Sequence, residues 1–271
     1  MAEPRLWEHL MRPGATFWLY RDDELVQEPV PAWMREVWSE SVPILADQPA
    51  GWYAADVVDE EEDAWTRGYG PLRAPFDKML IEWPASPHID TGGENIRGIR
   101  DGVFLGRMSD GTFKCHNFML TSKGAILTSW TDLEVDELGE LALTEQIGTE
   151  ANPWGTLTPM VIAIGLMNCR NVEVRDAPAP RVPKKSRRPR LPHIAYKTIA
   201  VPAPASASRS ERAASVGSTL AHHLVRGHFK TFSEDAPLFG KKTGTFWWGW
   251  QTRGSKTAGI VKKQYSVSEP E

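Results

Sequence analysis

The stretch GVFLGRMSDGTFKCHNFML, residues 102–120, decides the fold. Apolar side chains alternate on both sides of Asp110-Gly111, a dipeptide suited to a tight turn with a positive backbone angle. The stretch therefore reads as a β-hairpin. Toward the N-terminus, FDKMLIEWPA supplies another strand from Phe76 to Trp83, ended by Pro84, which cannot donate to a ladder. Toward the C-terminus, Gly124 introduces AILTSW as the third strand of an antiparallel meander.

Helices are expected around this sheet. Leu138, Leu141 and Leu143 suggest one over residues 132–146. A second is expected to start at Thr158-Pro159, a capping residue followed by a first-turn proline. Its body, MVIAIGLMNC, is apolar on nearly every side and so reads as a central buried helix. Residues 1–53 read as short helices joined by loops, with Pro4 and Pro31 in first turns. Trp33, Met34, Val37 and Trp38 then lie on one helical face. The fold class that follows is α+β: an antiparallel meander with packed helices, plus a small C-terminal β-rich module.

Charge divides the chain. Residues 1–174 carry 13 Lys+Arg against 29 Asp+Glu, a net of −16, whereas residues 175–271 carry 18 against 6, a net of +12. Opposed charge blocks point to different partners for different parts. Three regions follow: an acidic α+β body (1–174), a basic Pro/Ala/Ser-rich linker (175–216) and a basic, aromatic-rich module (217–271). The linker has too few apolar residues to fold alone. The five consecutive acids from Asp59 to Asp63 read first as a solvated loop and second as a lip for a basic ligand.

Other classes are disfavoured. Cys115 and Cys169 are the only cysteines and are far apart, against a disulfide framework or a cysteine-based zinc site. The longest apolar run is well short of the ~20 residues of a membrane helix, and the N-terminus has no apolar signal core. A cytoplasmic chain without membrane association is expected. Phosphate-binding, dinucleotide and nucleophile-elbow motifs are missing, so catalysis is not favoured and no cofactor or metal is expected. Asp90, Glu94, Asp101 and Asp110 lie around glycines where turn chemistry explains acids, and His88 and His116 have no evident partners.

Nucleic-acid contact is the chemistry most visible in the residues. Lys184, Lys185, Arg187, Arg188 and Arg190 form a run suited to phosphate backbones. In AHHLVRGHFK, the residues Arg226, His228 and Lys230 could face phosphates. His222, His223 and His228 could alternatively serve a structural role, a metal site or a nuclease. Trp247, Trp248 and Trp250 offer a stacking platform, although strand alternation turns Trp248 away from Trp247 and places at least one of them in a core.

The C-terminal segment also resembles a known family. His223, Arg226, Gly227, His228 and Phe229, followed by an aromatic strand with Trp247 and Trp248, are similar to the C-terminal signature of type V-A anti-CRISPR proteins and their phage homologues. Val225 stands where that signature has its first arginine, and Gly249 where it has proline. The specific match covers about 30 residues; Trp7 to Ala15 and the strand with Trp83 and Pro84 agree only in layout. The resemblance implies a phage-encoded factor that recognises the N-terminal peptide of a nascent protein and causes loss of the translated mRNA. Its partners would be that peptide and the ribosome or mRNA. A nucleic-acid-binding regulator is the alternative, and a histidine-dependent nuclease the second.

Overall fold

A computed structural model of the chain describes residues 5–22, 24–47, 72–85, 98–142, 154–177, 194–201, 221–225, 227–249, 251–253 and 255–260. The chain divides into two compact units, residues 1–200 and 201–271.

The first unit is built on a ten-stranded mixed sheet, which places the fold in the α+β class. Its centre is the expected meander: β4 (Lys78–Pro84), β5 (Gly98–Arg107), β6 (Phe113–Thr121) and β7 (Gly124–Val135), each antiparallel to the next. Asp110-Gly111 turns β5 into β6. Gly111 has φ +92°, and Asp110 Oδ1 accepts from both the backbone N–H and the hydroxyl of Thr112 at 3.0 and 2.7 Å. That carboxylate is held below its ordinary range by the two Thr112 bonds.

Around the meander the sheet is not purely antiparallel. β1 (Thr16–Arg21) and β2 (Glu24–Pro29) form an antiparallel hairpin, and β1 pairs parallel with β7. On the other side β3 (Val42–Leu45) pairs parallel with β4, and β10 (Lys197–Ala200) parallel with β3. β9 (Glu173–Asp176) is antiparallel to β10 and ends the sheet.

Five expectations are corrected. Residues 1–53 are not only helices and loops: α1 (Leu6–Leu10) and α2 (Ala32–Ser39) flank the β1–β2 hairpin, whose turn begins at Asp22 with φ +50°. Pro31 precedes α2 as its cap instead of occupying the first turn. Pro4 and residues 48–53 lie outside the described residues.

The helix expected over 132–146 is absent in its described part. From Trp130 to Glu134 exposed and buried residues alternate strictly, which is a strand period, so β7 runs on to Val135. Asp136 then makes a turn, its Oδ1 accepting from the N–H groups of Leu138 and Glu140, and β8 (Leu141–Ala142) returns along β7. Leu138 stands in that turn, 68% exposed.

The third described helix, α3 (Trp154–Met167), starts before Thr158 and holds Pro159 in its interior. Met160, Val161, Ala163, Ile164 and Leu166 on it are buried.

Finally, part of the expected linker is sheet. β10 carries Ile199, and Tyr196 just before it joins the main core cluster. The run Asp59–Asp63 lies outside the described residues.

That core cluster sits where α1 and α2 cover the sheet. Trp7 of α1 and Trp38 of α2 meet with ring centroids 5.6 Å apart, and both pack on Phe118 of β6 at 5.8 and 5.7 Å. Leu6, Leu10, Leu80, Phe104 and Leu120 complete the floor. Burying each such side chain contributes roughly 1.5–3 kcal/mol. The opposite face of the central strands is buried too, with Met79, Ile81, Val103, Leu105 and Cys115 inaccessible.

The second unit contains a hairpin, β12 (His228–Phe232) with β13 (Gly244–Trp248), and a three-stranded set in which β11 (Ala221–Val225) pairs with β14 (Gln251–Arg253) and β15 (Ser255–Ile260).

Candidate functional site: a cationic aromatic hairpin

The β12–β13 hairpin brings together most of the described C-terminal candidates. Register places His228 opposite Trp248, Phe229 opposite Trp247, and Lys230 opposite Phe246. Because side chains alternate across a strand, two faces result.

One face is packing. Trp247 is buried, and its ring lies 4.9 Å from that of Phe229 in an edge-on arrangement. Gly227 lies directly against it: a Cβ there would fall 2.4 Å from the Trp247 ring. Thr231 and Thr245 share a hydroxyl–hydroxyl hydrogen bond of 2.9 Å on this face. Gly227, Phe229 and Trp247, three residues of the signature discussed above, therefore form the packing kernel of the hairpin.

The other face carries His228, Lys230, Phe232, Phe246 and Trp248. His228 and Lys230 are exposed, and Phe232 and Trp248 half-buried. The Lys230 ammonium stands 5.0 Å from the centroid of Phe232 and 5.7 Å from that of Trp248, with those two rings 5.7 Å apart. A cation over aromatic faces gains about 0.5–1 kcal/mol at an exposed site. The result is a positive surface with ring faces beside it. The opposite orientations of Trp247 and Trp248 follow from alternation.

Arg226 and the run Lys184, Lys185, Arg187, Arg188 and Arg190 lie outside the described residues. His222 and His223 belong to β11, which pairs with β14 and β15. Trp250, His88, Asp90 and Glu94 also lie outside the described residues. Among the described residues no three His, Cys, Asp or Glu side chains converge as metal ligands. Cys115 and Cys169 are both free and buried, and burial pushes each thiol up to about 12.

A second polar constellation, in the first unit, escapes sequence reasoning. Glu82 of β4 and Arg100 of β5 are wholly buried and paired at 2.9 Å. Arg100 also pairs with Asp47 beyond β3, and Arg5 ahead of α1 reaches Glu82 at 3.4 Å and Asp47 at 3.6 Å. Glu82 Oε2 accepts from the Trp7 backbone N–H at 3.3 Å and from the Tyr196 hydroxyl at 3.2 Å. Burial pushes the Glu82 carboxyl up, opposed by Arg100, Arg5 and these two donors. Tyr196 is pushed well above the ordinary phenol range by burial and by Glu82. One carboxylate thus joins the N-terminal segment, the meander and the segment leading into β10. Its only sequence signal is an acid inside the apolar run MLIEWP.

Comparison of the chain with protein-family models, with curated proteins and with solved structures finds no match.

Proposed function

We propose that this protein acts by recognition, and that its second unit contacts single-stranded nucleic acid through the hairpin face bearing His228, Lys230, Phe232 and Trp248. The observation that carries the reading is the Lys230 ammonium beside two ring faces on an accessible surface. Phosphate can meet the cation while a base stacks on a ring, and such stacking tolerates any sequence. The +12 charge of residues 175–271 supports it by long-range attraction to a polyanion.

The test is fluorescence anisotropy with a labelled single-stranded RNA of about twenty nucleotides. Affinity is expected to fall steeply as salt rises from roughly 50 to 200 mM. Absence of binding at the lower salt, or binding indifferent to salt, refutes the reading.

A more specific reading draws on the resemblance to type V-A anti-CRISPR proteins. In it the protein is a phage-encoded factor in the bacterial cytoplasm that holds the N-terminal peptide of a nascent target and lowers its mRNA. The charge division favours it, since an acidic body suits a basic peptide and a basic tail suits RNA. Transcript sequencing with and without the protein tests it: depletion should require that the target mRNA be translatable. Equal loss of an untranslatable copy counts against it.

A further inference from the structure

The loop between β12 and β13 presents a residue that its backbone disfavours. Phe239 has φ +52° and Gly240 φ +69°. Lys241 N–H donates to the Leu238 carbonyl at 3.2 Å, closing a turn whose two central residues are Phe239 and Gly240. The loop is pinned on both sides: Leu238 N–H donates to Lys242 O at 2.7 Å, and Lys242 N–H donates back to Leu238 O at 3.1 Å. A turn with two positive φ values normally takes Asn, Asp or Gly at its first central position. For a bulky aromatic residue a positive φ is a strained exception.

Burial of the ring does not offset that strain. Phe239 is 86% exposed, the most exposed large apolar residue described, so its ring is not anchoring the loop in a core. Lys241 and Lys242, which follow it, are exposed as well. The loop's two carboxylates, Glu234 and Asp235, come before the turn in sequence, and the lysines after it. A rigid tip thus holds one bare ring with two cations at its C-terminal side. It belongs to the same hairpin that carries Lys230 and Trp248.

We propose that Phe239 is a base-stacking residue for single-stranded nucleic acid, with Lys241 and Lys242 meeting the adjoining phosphates. The proposal rests on the nucleic-acid reading of the hairpin and extends it from the face to the loop tip. A single ring with two lysines is too little for stable attachment to a lipid surface, which takes two substantial signals. It is enough for one base, because stacking on one aromatic side chain changes affinity by roughly 5- to 150-fold. Local rules are broken at functional positions when the gain lies in the bound state.

The test uses the full chain and a labelled single-stranded oligouridine. Phe239→Asn places at the turn a residue that its backbone favours and removes the ring. The variant should unfold at a higher temperature than wild type and bind the RNA roughly 5- to 150-fold more weakly. Phe239→Trp should bind at least as well as wild type. Replacing Lys241 and Lys242 by Ala should flatten the dependence of log affinity on log salt by about 0.7 for each phosphate no longer neutralised. If wild type binds but Phe239→Asn binds equally well, the loop-tip proposal falls and the hairpin-face reading stands. If wild type does not bind, both fall. If Phe239→Asn binds more weakly but is also less stable than wild type, the ring is serving the fold and the proposal falls.

Discussion

Asp101 offers the sharpest measurable consequence of the first unit's packing. It lies on β5, with Trp83 opposite on β4 and Met119 opposite on β6. Its neighbour Arg100 is committed to Glu82 and Asp47, and adjacent strand residues point to opposite faces, so the guanidinium only partly offsets burial. Burial pushes the Asp101 carboxyl from 3.8 up to about 7. The native state therefore keeps a proton that the open chain releases. Stability is full below pH 4 and falls as pH rises, by about 1.4 kcal/mol per pH unit, until the native carboxyl ionises near 7. Across that window the loss is about 4 kcal/mol.

Asp101→Asn removes the titration while keeping the shape. Urea unfolding of both proteins at half-unit steps from pH 4 to 8 is the assay, read as the difference between them. That difference cancels His9 and His116, whose imidazoles burial pushes down. The variant should gain steadily on wild type as pH rises, then hold constant above about 7. Parallel curves would refute the reasoning. A wild type that gains on the variant with rising pH would show that Arg100 outweighs burial.

Two further outcomes follow from particular contacts. Glu82→Gln leaves Arg100 without its wholly buried counter-charge and should lower the stability of the first unit by about 3–5 kcal/mol in urea unfolding. Gly227→Ala drives a methyl into the Trp247 ring and should destabilise the second unit by about 1–3 kcal/mol, visible as a lower midpoint in near-ultraviolet circular dichroism.

The parts of the fold legible in the sequence are those set by local chemistry. Residues 102–120 announce a hairpin because both the alternation and the turn lie within one short window. The β1–β2 hairpin is harder to read, since its turn uses Asp22, which tolerates a positive φ without announcing it. Residues 132–146 mislead because leucines at 138, 141 and 143 look available for helix packing, while the decisive alternation lies just upstream of them in TDLEV. The position of β10 between β3 and β9 is a long-range pairing that no local pattern encodes. At the candidate site, His228, Lys230 and Trp248 are readable from composition and alternation. Phe232 is not, since its value comes from lying beside Trp248 across the hairpin. The Glu82 cluster is hidden for the same reason: Arg5, Asp47, Arg100 and Tyr196 are scattered along the chain.

The strand order has a consequence for how the chain is made. β9 leaves the ribosome before β10, yet it joins the described sheet through β10. β3 likewise waits for a partner whose residues follow it by about 150 positions, a delay long enough to slow folding. During synthesis the flank of β3 stays open, and β9 emerges before the strand it docks on. That edge cannot be completed until residues 196–200 have been made, when Tyr196 can reach Glu82 and β9 can pair with β10, so a chain stopped before Tyr196 carries an unfinished sheet with an adhesive margin.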